Sequence, residues 1–255
     1  MAQGTRGFLA FTAMLLAVAP GALCAEGEHH WSYQGSTGPA NWAGLESDYK
    51  SCGLGKLQSP IDIRDAVARK VDLPAIDFDY KPSPLRIIDN GHTVQVDYAP
   101  GSSISVQGKR YELLQFHFHK PSEEKINGKA SAMVAHLVHK DRDGNLAVVA
   151  VLLETGASSR LIETLWKNVP KQKGKEREVQ GVEVNAADLL PANRAVYYTF
   201  TGSLTTPPCS EGVTWFVLKS PTPISKDEVA RFAQLYPMNA RPTQPLNGRE
   251  IRVSQ

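Results

Sequence analysis

Alternating apolar and polar positions run through most of this chain and predict strands. The clearest case is Thr93 to Asp97, which follows the turn residues Asn90 and Gly91. The turn sequence Asp141 to Asn145 separates two further runs. Apart from Thr93 to Asp97, the runs that predict strands are Leu85 to Ile88, Ser103 to Val106, Tyr111 to His119, Ala132 to His139, Leu146 to Leu153, Tyr197 to Phe200 and Val213 to Leu218.

Two short segments have a helical pattern instead. Lys226 to Tyr236 begins at a capping box formed by Ser225 and Glu228, and Pro237 ends it. Ser159 to Asn168 is the second predicted helix. Because strands outnumber helices, the chain is expected to be mainly β (α+β): one large sheet with short peripheral helices.

The N-terminal residues differ from the rest and predict a secretory signal peptide over residues 1–25. Arg6 supplies a positive flank, and the apolar run from Phe8 to Ala19 is shorter than the ~20 residues that a membrane-spanning helix needs. We therefore expect cleavage near Ala22 to Ala25 and no membrane association afterwards. A retained anchor or a lipidated Cys24 is the alternative, although Leu23 stands where a lipidation signal has a small residue.

Composition narrows the choice of partners. The chain has 255 residues and 42% hydrophobic content, which suits one domain over residues 26–255. Composition does not decide between a monomer and a homodimer. Its 28 basic and 26 acidic residues are nearly balanced and form no run of like charge. Nucleic acid and acidic membranes are therefore not favoured as partners, and a small neutral or weakly charged ligand fits better.

Two cysteines, Cys52 and Cys209, remain once the leader is removed. Export would place this pair in an oxidising compartment, which favours one disulfide. The long loop that it closes is worth up to roughly 5 kcal/mol in the chain-entropy model. Two buried free thiols are the alternative.

Closely spaced histidines make a metal site the candidate chemistry. In a strand, His117 and His119 point to the same side, about 7 Å apart along the chain. His136 and His139 offer a third ligand, but their spacing of three places them on opposite faces. Three neutral nitrogens with one open position are typical of catalytic zinc, although copper and iron use the same ligands. From this pattern alone, a metal site and an ordinary core or surface pair remain open.

Motifs along the whole chain resemble one family. In order and at approximately the expected spacing, they are HHWSYQG, QSPIDI, NGHTVQV, QFHFHKPSE, AHLVHKD, GSLTTPPCSEGVTWFVL and NARPTQPLNGR. The chain is similar to the α-class carbonic anhydrases from His30 to Ile251, and most similar to their bacterial periplasmic or secreted members. The resemblance implies a single-domain, mostly antiparallel twisted sheet of about ten strands with short peripheral helices. It also implies a lyase that interconverts carbon dioxide and bicarbonate.

The resemblance implies a Zn2+ site with His117, His119 and His136 as ligands, and leaves His139 structural. Zinc-bound hydroxide would then attack carbon dioxide. Carbonic anhydrases are the standard example of this chemistry, with a bound-water pKa near ~7. Activated esters are expected side substrates of the same nucleophile.

The same resemblance assigns the other catalytic residues. Thr205 would accept the proton of the hydroxide and donate its own to Glu123, and Thr206 would contact bicarbonate. His92 would carry protons to solvent. The apolar pocket wall for carbon dioxide would consist of Val138, Val148, Leu204, Val213 and Trp215, each of which would otherwise be interpreted as a core residue.

Groups behind the metal ligands complete the implied site. Gln115 would accept a hydrogen bond from His117, and a main-chain carbonyl near Asn239 would accept one from His119. For His136 the family has a glutamate two residues earlier, where this chain has Val134. We therefore expect His136 to lack that acceptor and zinc retention or turnover to be reduced, since such contacts are typically worth roughly 10–100-fold.

Two other functions stay open at this stage: a catalytically weakened or non-catalytic zinc-binding scaffold, and a zinc esterase for larger esters. The resemblance also implies that the disulfide tethers the Thr205 loop. It further implies cis peptide bonds at Ser59-Pro60 and Pro207-Pro208. Glu124 receives no role.

Overall fold

The computed structural model describes Met1 and residues 30–255. Apart from Met1, the predicted signal peptide lies outside these residues, as does Cys24.

The strands carry most of the architecture. They are β1 (Asp62–Ile63), β2 (Arg69–Val71), β3 (Asp77–Asp79), β4 (Ser83–Asp89), β5 (Val94–Asp97), β6 (Ser103–Val106), β7 (Lys109–His119), β8 (Lys125–Ile126), β9 (Lys129–Ala130), β10 (Met133–Lys140), β11 (Leu146–Thr155), β12 (Arg177–Val184), β13 (Tyr197–Ser203), β14 (Glu211–Ile224) and β15 (Arg252–Ser254).

Helices are short and few within residues 30–255. They are the α-helices α1 (Ser51–Leu54), α2 (Arg160–Asn168) and α3 (Lys226–Leu235), and the 3-10 helices Gly35–Thr37, Trp42–Gly44, Ser47–Tyr49 and Ala186–Leu189.

Twelve strands form one large sheet, and β1, β8 and β9 form a small one. The main path through the large sheet is β12-β4-β5-β7-β10-β11-β14-β13-β15-β2, while β6 pairs with β7 and β3 pairs with β6. Neighbours in the large sheet are antiparallel except at β11 with β14 and β15 with β2. The predicted fold class, a mostly antiparallel sheet with short helices, is confirmed.

The two faces of the sheet bury separate apolar clusters. The larger cluster lies on the side of α2 and α3 and includes Leu165 and Phe232. The second lies on the opposite face and includes Val148 and Trp215. Strand β10 has buried side chains on both faces, which explains its nearly continuous apolar sequence.

Both predicted helices are present, and one side chain joins them. The capping box of Ser225 and Glu228 starts α3, and Ser159 caps α2. The Glu228 carboxylate also accepts the main-chain NH of Ser159 at 3.0 Å, and the indole of Trp166 donates to the Glu228 carbonyl at 3.0 Å. Glu228 therefore fixes the two helices against each other.

The predicted disulfide between Cys52 and Cys209 is present and joins residues 157 positions apart. It packs beside Trp42, Trp31 and Tyr33 in a small apolar cluster. The expected cis bonds at Ser59-Pro60 and Pro207-Pro208 are found, together with one at Lys120-Pro121. Within residues 30–255 no helix has the length and apolar character needed to cross a membrane.

Candidate metal centre

Neighbouring strands β7 and β10 bring three histidines together. The antiparallel register places His136 opposite His117 and Val134 opposite His119. Because alternate strand residues share a face, all three rings lie on one side of the sheet. One nitrogen from each ring lies within 4.8 Å of the other two. The arrangement can hold a metal ion through three imidazoles.

His136 and His139 are the two candidates for the third ligand, and the structure distinguishes them. His139 lies on the other face, where the Tyr80 hydroxyl is 2.8 Å from its Nε2, and it is fully buried. His136 is therefore the residue that joins His117 and His119.

Hydrogen bonds fix which nitrogens of the first two histidines face the centre. His117 Nδ1 donates to Gln115 Oε1 at 2.8 Å, and His119 Nδ1 donates to the Asn239 carbonyl at 2.8 Å. The Nε2 atoms are left for the centre. His119 Nε2 is buried without a hydrogen-bond partner. A buried polar atom left in this way costs stability, and coordination of a metal ion would satisfy it.

The third histidine has a partner that the sequence interpretation missed. His136 Nε2 lies 3.1 Å from each carboxylate oxygen of Glu124, so its Nδ1 is the nitrogen available to an ion. The expectation that Val134 leaves His136 without a protein acceptor is therefore wrong. The sequence pattern points to an acceptor on the strand itself, at position 134, whereas the actual acceptor lies in the loop after β7.

Burial and neighbouring charge set the pKa values of the three histidines, and burial dominates for two of them. It lowers the pKa of His117 to about 3 and that of His119 well below its usual range, and the charge of His136 adds to both shifts. For His136, burial also favours the neutral form, but the charge and hydrogen bond of Glu124 outweigh it and raise the pKa. Neutral imidazoles are the form that binds metal ions.

Glu123 lies beside the histidines and is also buried. Its Oε1 accepts the main-chain NH of Arg241 at 2.7 Å and lies 3.5 Å from His119 Nδ1. Burial raises the pKa of Glu123 to about 7, a shift that the charge of Glu124 increases and that His136, the Arg241 NH and the Thr205 hydroxyl reduce. The carboxyl group is therefore close to Thr205, as its expected role requires.

The loop that carries Thr205 and Thr206 connects β13 to β14 and is held at several points. The main-chain NH of Leu204 donates to the Ser210 carbonyl at 3.0 Å, and the NH of Cys209 donates to the Thr206 carbonyl at 2.9 Å. The disulfide ties the same loop to α1, which contains Cys52. Thr205 is buried, whereas Thr206 is half-buried.

The five residues expected to form the apolar wall are brought together. Four belong to the second apolar cluster and Leu204 packs against it. The Trp215 ring lies 5.0 Å from the His136 ring, and its indole NH donates to the Ser203 carbonyl at 3.1 Å. An apolar surface therefore adjoins the histidines. Besides Leu204 and Trp215, the wall consists of Val138, Val148 and Val213.

His92 lies at the turn after β4 and stacks against two other rings. The Trp31 ring is 3.6 Å away and almost parallel to it, and the His30 ring is 4.7 Å away. Burial, followed by the charges of His30 and Lys173, lowers the pKa of His92 to about 4. Its carbonyl accepts the side-chain amide of Asn239 at 3.0 Å, which links this turn to the histidine centre.

Comparisons with known proteins agree on one family. The family model described as eukaryotic-type carbonic anhydrase matches residues 37–255. A carbonic anhydrase from Klebsiella pneumoniae is 44% identical, over 87% of this chain and 90% of its own length. One from a Nostoc species is 41% identical, over 87% and 85% respectively. The α-carbonic anhydrase structure from Thermovibrio ammonificans, in complex with sulfanilamide, has a TM-score of 0.84 at 42% identity, over 88% of this chain and 98% of that one.

Proposed function

The chain belongs to the eukaryotic-type (α-class) carbonic anhydrases, and from this membership we propose that it hydrates carbon dioxide reversibly to bicarbonate at a zinc ion held by His117, His119 and His136. The enzyme class, carbonate dehydratase, follows from the family. We propose the identity of the metal and the roles of individual residues.

One observation carries the choice of metal. Each of the three imidazoles, of which His119 and His136 are buried and His117 is half-buried, has one nitrogen hydrogen-bonded to the protein and the other available to the centre. Three neutral nitrogen donors leave a fourth tetrahedral position open, which is typical of catalytic zinc. When bound, zinc supplies a Lewis acid that lowers the pKa of water and provides a nucleophile at neutral pH.

Thr205 and Glu123 orient that nucleophile. Glu123 has its Oε1 fixed by the Arg241 NH, which leaves the carboxylate able to accept the Thr205 hydroxyl. The Thr205 oxygen then accepts a hydrogen bond from the attacking oxygen and aims its lone pair. Thr206 contacts the bicarbonate product from the same loop.

The apolar wall receives carbon dioxide, which carries no charge and no strong hydrogen-bonding group. Val148, Val213 and Trp215 offer it an apolar surface beside the histidines. Attack forms a bond between the carbon and the nucleophilic oxygen, and the electron pair of one C–O π bond moves onto its oxygen, which gives the carboxylate of bicarbonate. One proton is released for each bicarbonate formed.

His92 carries that proton to solvent in our proposal, since histidine ordinarily titrates near neutral pH. The stacked position seen here, with a pKa of about 4, favours release of a proton over its uptake. Uptake therefore requires a less buried ring than the one stacked on Trp31.

Activated esters are proposed side substrates, because the same nucleophile can attack an acyl carbon. A larger ester as the main substrate, and a weakened or non-catalytic scaffold, are the competing functions. The contact from Glu124 removes the structural reason for the weakened scaffold. Comparison of kcat/KM for carbon dioxide with that for an activated ester tests the esterase alternative.

A periplasmic or secreted location is part of the proposal. It is supported by the disulfide between Cys52 and Cys209, because such bonds persist in oxidising compartments.

Zinc content and the hydration rate, measured together, test the proposed function. The purified protein should contain one zinc ion per chain and hydrate carbon dioxide in stopped flow. A chelator should remove both properties and added zinc should restore them. His136→Ala should lose zinc, whereas His139→Asn, on the other face of the same strand, should keep it. A protein that hydrates carbon dioxide equally fast after complete removal of zinc would contradict the proposal.

A further inference from the structure

We propose that Glu124 is a positioning residue for His136, and that Glu124 and Val134 form a compensated pair. In this pair the carboxylate acceptor of His136 comes from the loop after β7, and the residue two positions before His136 on β10 is apolar. The inference rests on the zinc site proposed above and extends it to a residue outside the set of ligands.

The contact itself is closely defined. Both oxygens of Glu124 lie 3.1 Å from His136 Nε2, and neither side chain is more than 2% exposed. In the part of the chain that the structure describes, His136 Nε2 is the one hydrogen-bond partner of this carboxylate. A buried carboxylate without a partner is costly, so this contact accounts for the placement of Glu124 in the core.

The main chain around Glu124 is fixed on both sides. The Ser122 hydroxyl donates to the Glu124 carbonyl at 2.7 Å and accepts the Ser131 NH at 2.8 Å. On the other side, the NH of Lys125 donates to the Ile61 carbonyl at 3.2 Å. Protein contacts therefore hold the main chain that carries this carboxylate, as a positioning role requires.

Val134 occupies the place that such a carboxylate would otherwise take. It lies two residues before His136 on the same face of β10, opposite His119, and it is fully buried in the second apolar cluster. His136 Nε2 has a single N–H to donate. A glutamate at position 134 would compete with Glu124 for it, and two buried carboxylates at one site repel each other. A carboxylate at position 124 and an apolar residue at position 134 avoid both the competition and the repulsion.

This contact acts on the ion through the ring of His136. Donation from Nε2 fixes the ring orientation and directs the Nδ1 lone pair toward the other two histidines. A carboxylate acceptor also raises the basicity of the ligand nitrogen. The expected consequence is slow loss of zinc, in contrast to the weak retention that the valine alone suggested.

The test measures how fast zinc-loaded protein releases its ion to an excess of chelator. Glu124→Ala should release zinc ~10–100-fold faster than the unmodified protein. Val134→Glu in the Glu124→Ala background should return the rate toward the original value, while Val134→Glu alone should not slow release. The matched control is Glu228→Ala, another buried glutamate, whose loss weakens the helix contacts and should leave zinc release unchanged.

The visible spectrum of the Co2+-loaded protein gives a readout that a purely structural role would not change. The spectrum should shift in Glu124→Ala, return in the double variant and stay unchanged in Glu228→Ala. If the double variant does not fold, Glu124→Gln replaces it, because its amide oxygen still accepts the N–H. The release rate should then rise in the order unmodified protein, Glu124→Gln, Glu124→Ala.

Release from Glu124→Ala at the original rate would overturn the inference. A folded double variant that loses zinc as fast as Glu124→Ala would also overturn it. So would a release rate that does not rise in the order unmodified protein, Glu124→Gln, Glu124→Ala. If the unmodified protein retains no zinc at all, the proposed function fails as well. Firm retention with no effect of Glu124 overturns only the present inference.

Discussion

Two consecutive glutamates serve different partners in the core of this protein. Glu123 faces the Arg241 main chain and Thr205, whereas Glu124 faces His136. Both carboxylates are buried, and the charge of Glu124 contributes to the raised pKa of Glu123. These separate contacts support the two proposed roles: Glu123 would position the nucleophile through Thr205, and Glu124 would position His136.

The stacking of His92 on Trp31 buries the imidazole, and its effect on the pKa of His92 can be tested by substitution. Trp31→Ala should raise the pKa of His92 from about 4 toward the usual value near 6.5, because burial is the main cause of the shift. Titration of the imidazole proton by NMR measures the change. A pKa that stays near 4 would mean that another part of the turn controls it. Trp42→Phe, which changes the same aromatic cluster away from His92, is the control.

The proposed role of His92 in proton transfer has its own test. His92→Ala should slow turnover in weak buffer, and an imidazole-type buffer should restore it, because the buffer replaces the missing proton carrier. Stopped-flow hydration at several buffer concentrations measures this. Equal rates for the two proteins in weak buffer would assign proton transfer to another group.

His139 should make the fold sensitive to acid. Burial lowers its pKa to about 3, whereas the unfolded chain has a value near 6.5. The unfolded state therefore takes up a proton that the folded state refuses, and the stability contributed by neutral His139 is lost as the pH falls from about 6.5 toward 3. In His139→Asn, the free energy of unfolding should decline less over this range, although its value at pH 7 should be lower because the contact with Tyr80 is lost.

Urea unfolding at pH 7, 5 and 4 measures that difference. Tyr80→Phe is the control, since it removes the hydroxyl partner and keeps the titrating ring. An acid dependence in His139→Asn as steep as that of the unmodified protein would assign the sensitivity to other groups.

At the site, the sequence predicted those placements that short-range patterns determine. The alternation along β7 placed His117 and His119 on one face, and the spacing of three separated His136 from His139. The partner of His136 was missed because it depends on how the loop after β7 folds back, which no periodicity encodes. The lowered pKa of His92 was missed because it comes from contact with His30 and Trp31, which are distant in sequence.

At the scale of elements, Glu228 joins α2 and α3 through the N-terminus of each. The capping box gives a direct test: Ser225→Ala should cost about 1 kcal/mol of unfolding free energy, because it leaves an NH of the first turn without its acceptor. Chemical denaturation measures the change. Ser158→Ala, an exposed serine beside the other cap, should have almost no effect. An equal loss in both variants would contradict the role of the cap.

The sequence predicted the central strands better than the edges. Strands β5, β7, β10 and β11 have apolar residues at regular positions, and they were found close to their expected bounds. The edge strand β12 was missed, because most of its side chains are exposed and polar. Strand β14 continues past the predicted end at Leu218 through two prolines, which usually indicate the end of a strand.

The disulfide belongs to the scale of the whole molecule, because it joins the N-terminal segment to the Thr205 loop. Reduction should lower both the melting temperature and the hydration rate, with a loss of stability of up to roughly 5 kcal/mol in the chain-entropy model. Thermal unfolding and stopped flow, with and without dithiothreitol, measure the two effects. The Cys52→Ser/Cys209→Ser variant should no longer respond to dithiothreitol. Unchanged activity after full reduction would show that the loop does not need the tether.

Residues 239 and 241, which follow α3, complete the histidine centre from far along the chain. Asn239 supplies the acceptor for His119, and the Arg241 NH holds Glu123. A nascent chain that has emerged only as far as α3 contains all three histidines but lacks both contacts. Both contacts therefore become available only after the strands that carry the three histidines have been synthesised. Ion binding that depends on these two contacts would accordingly follow synthesis of this segment.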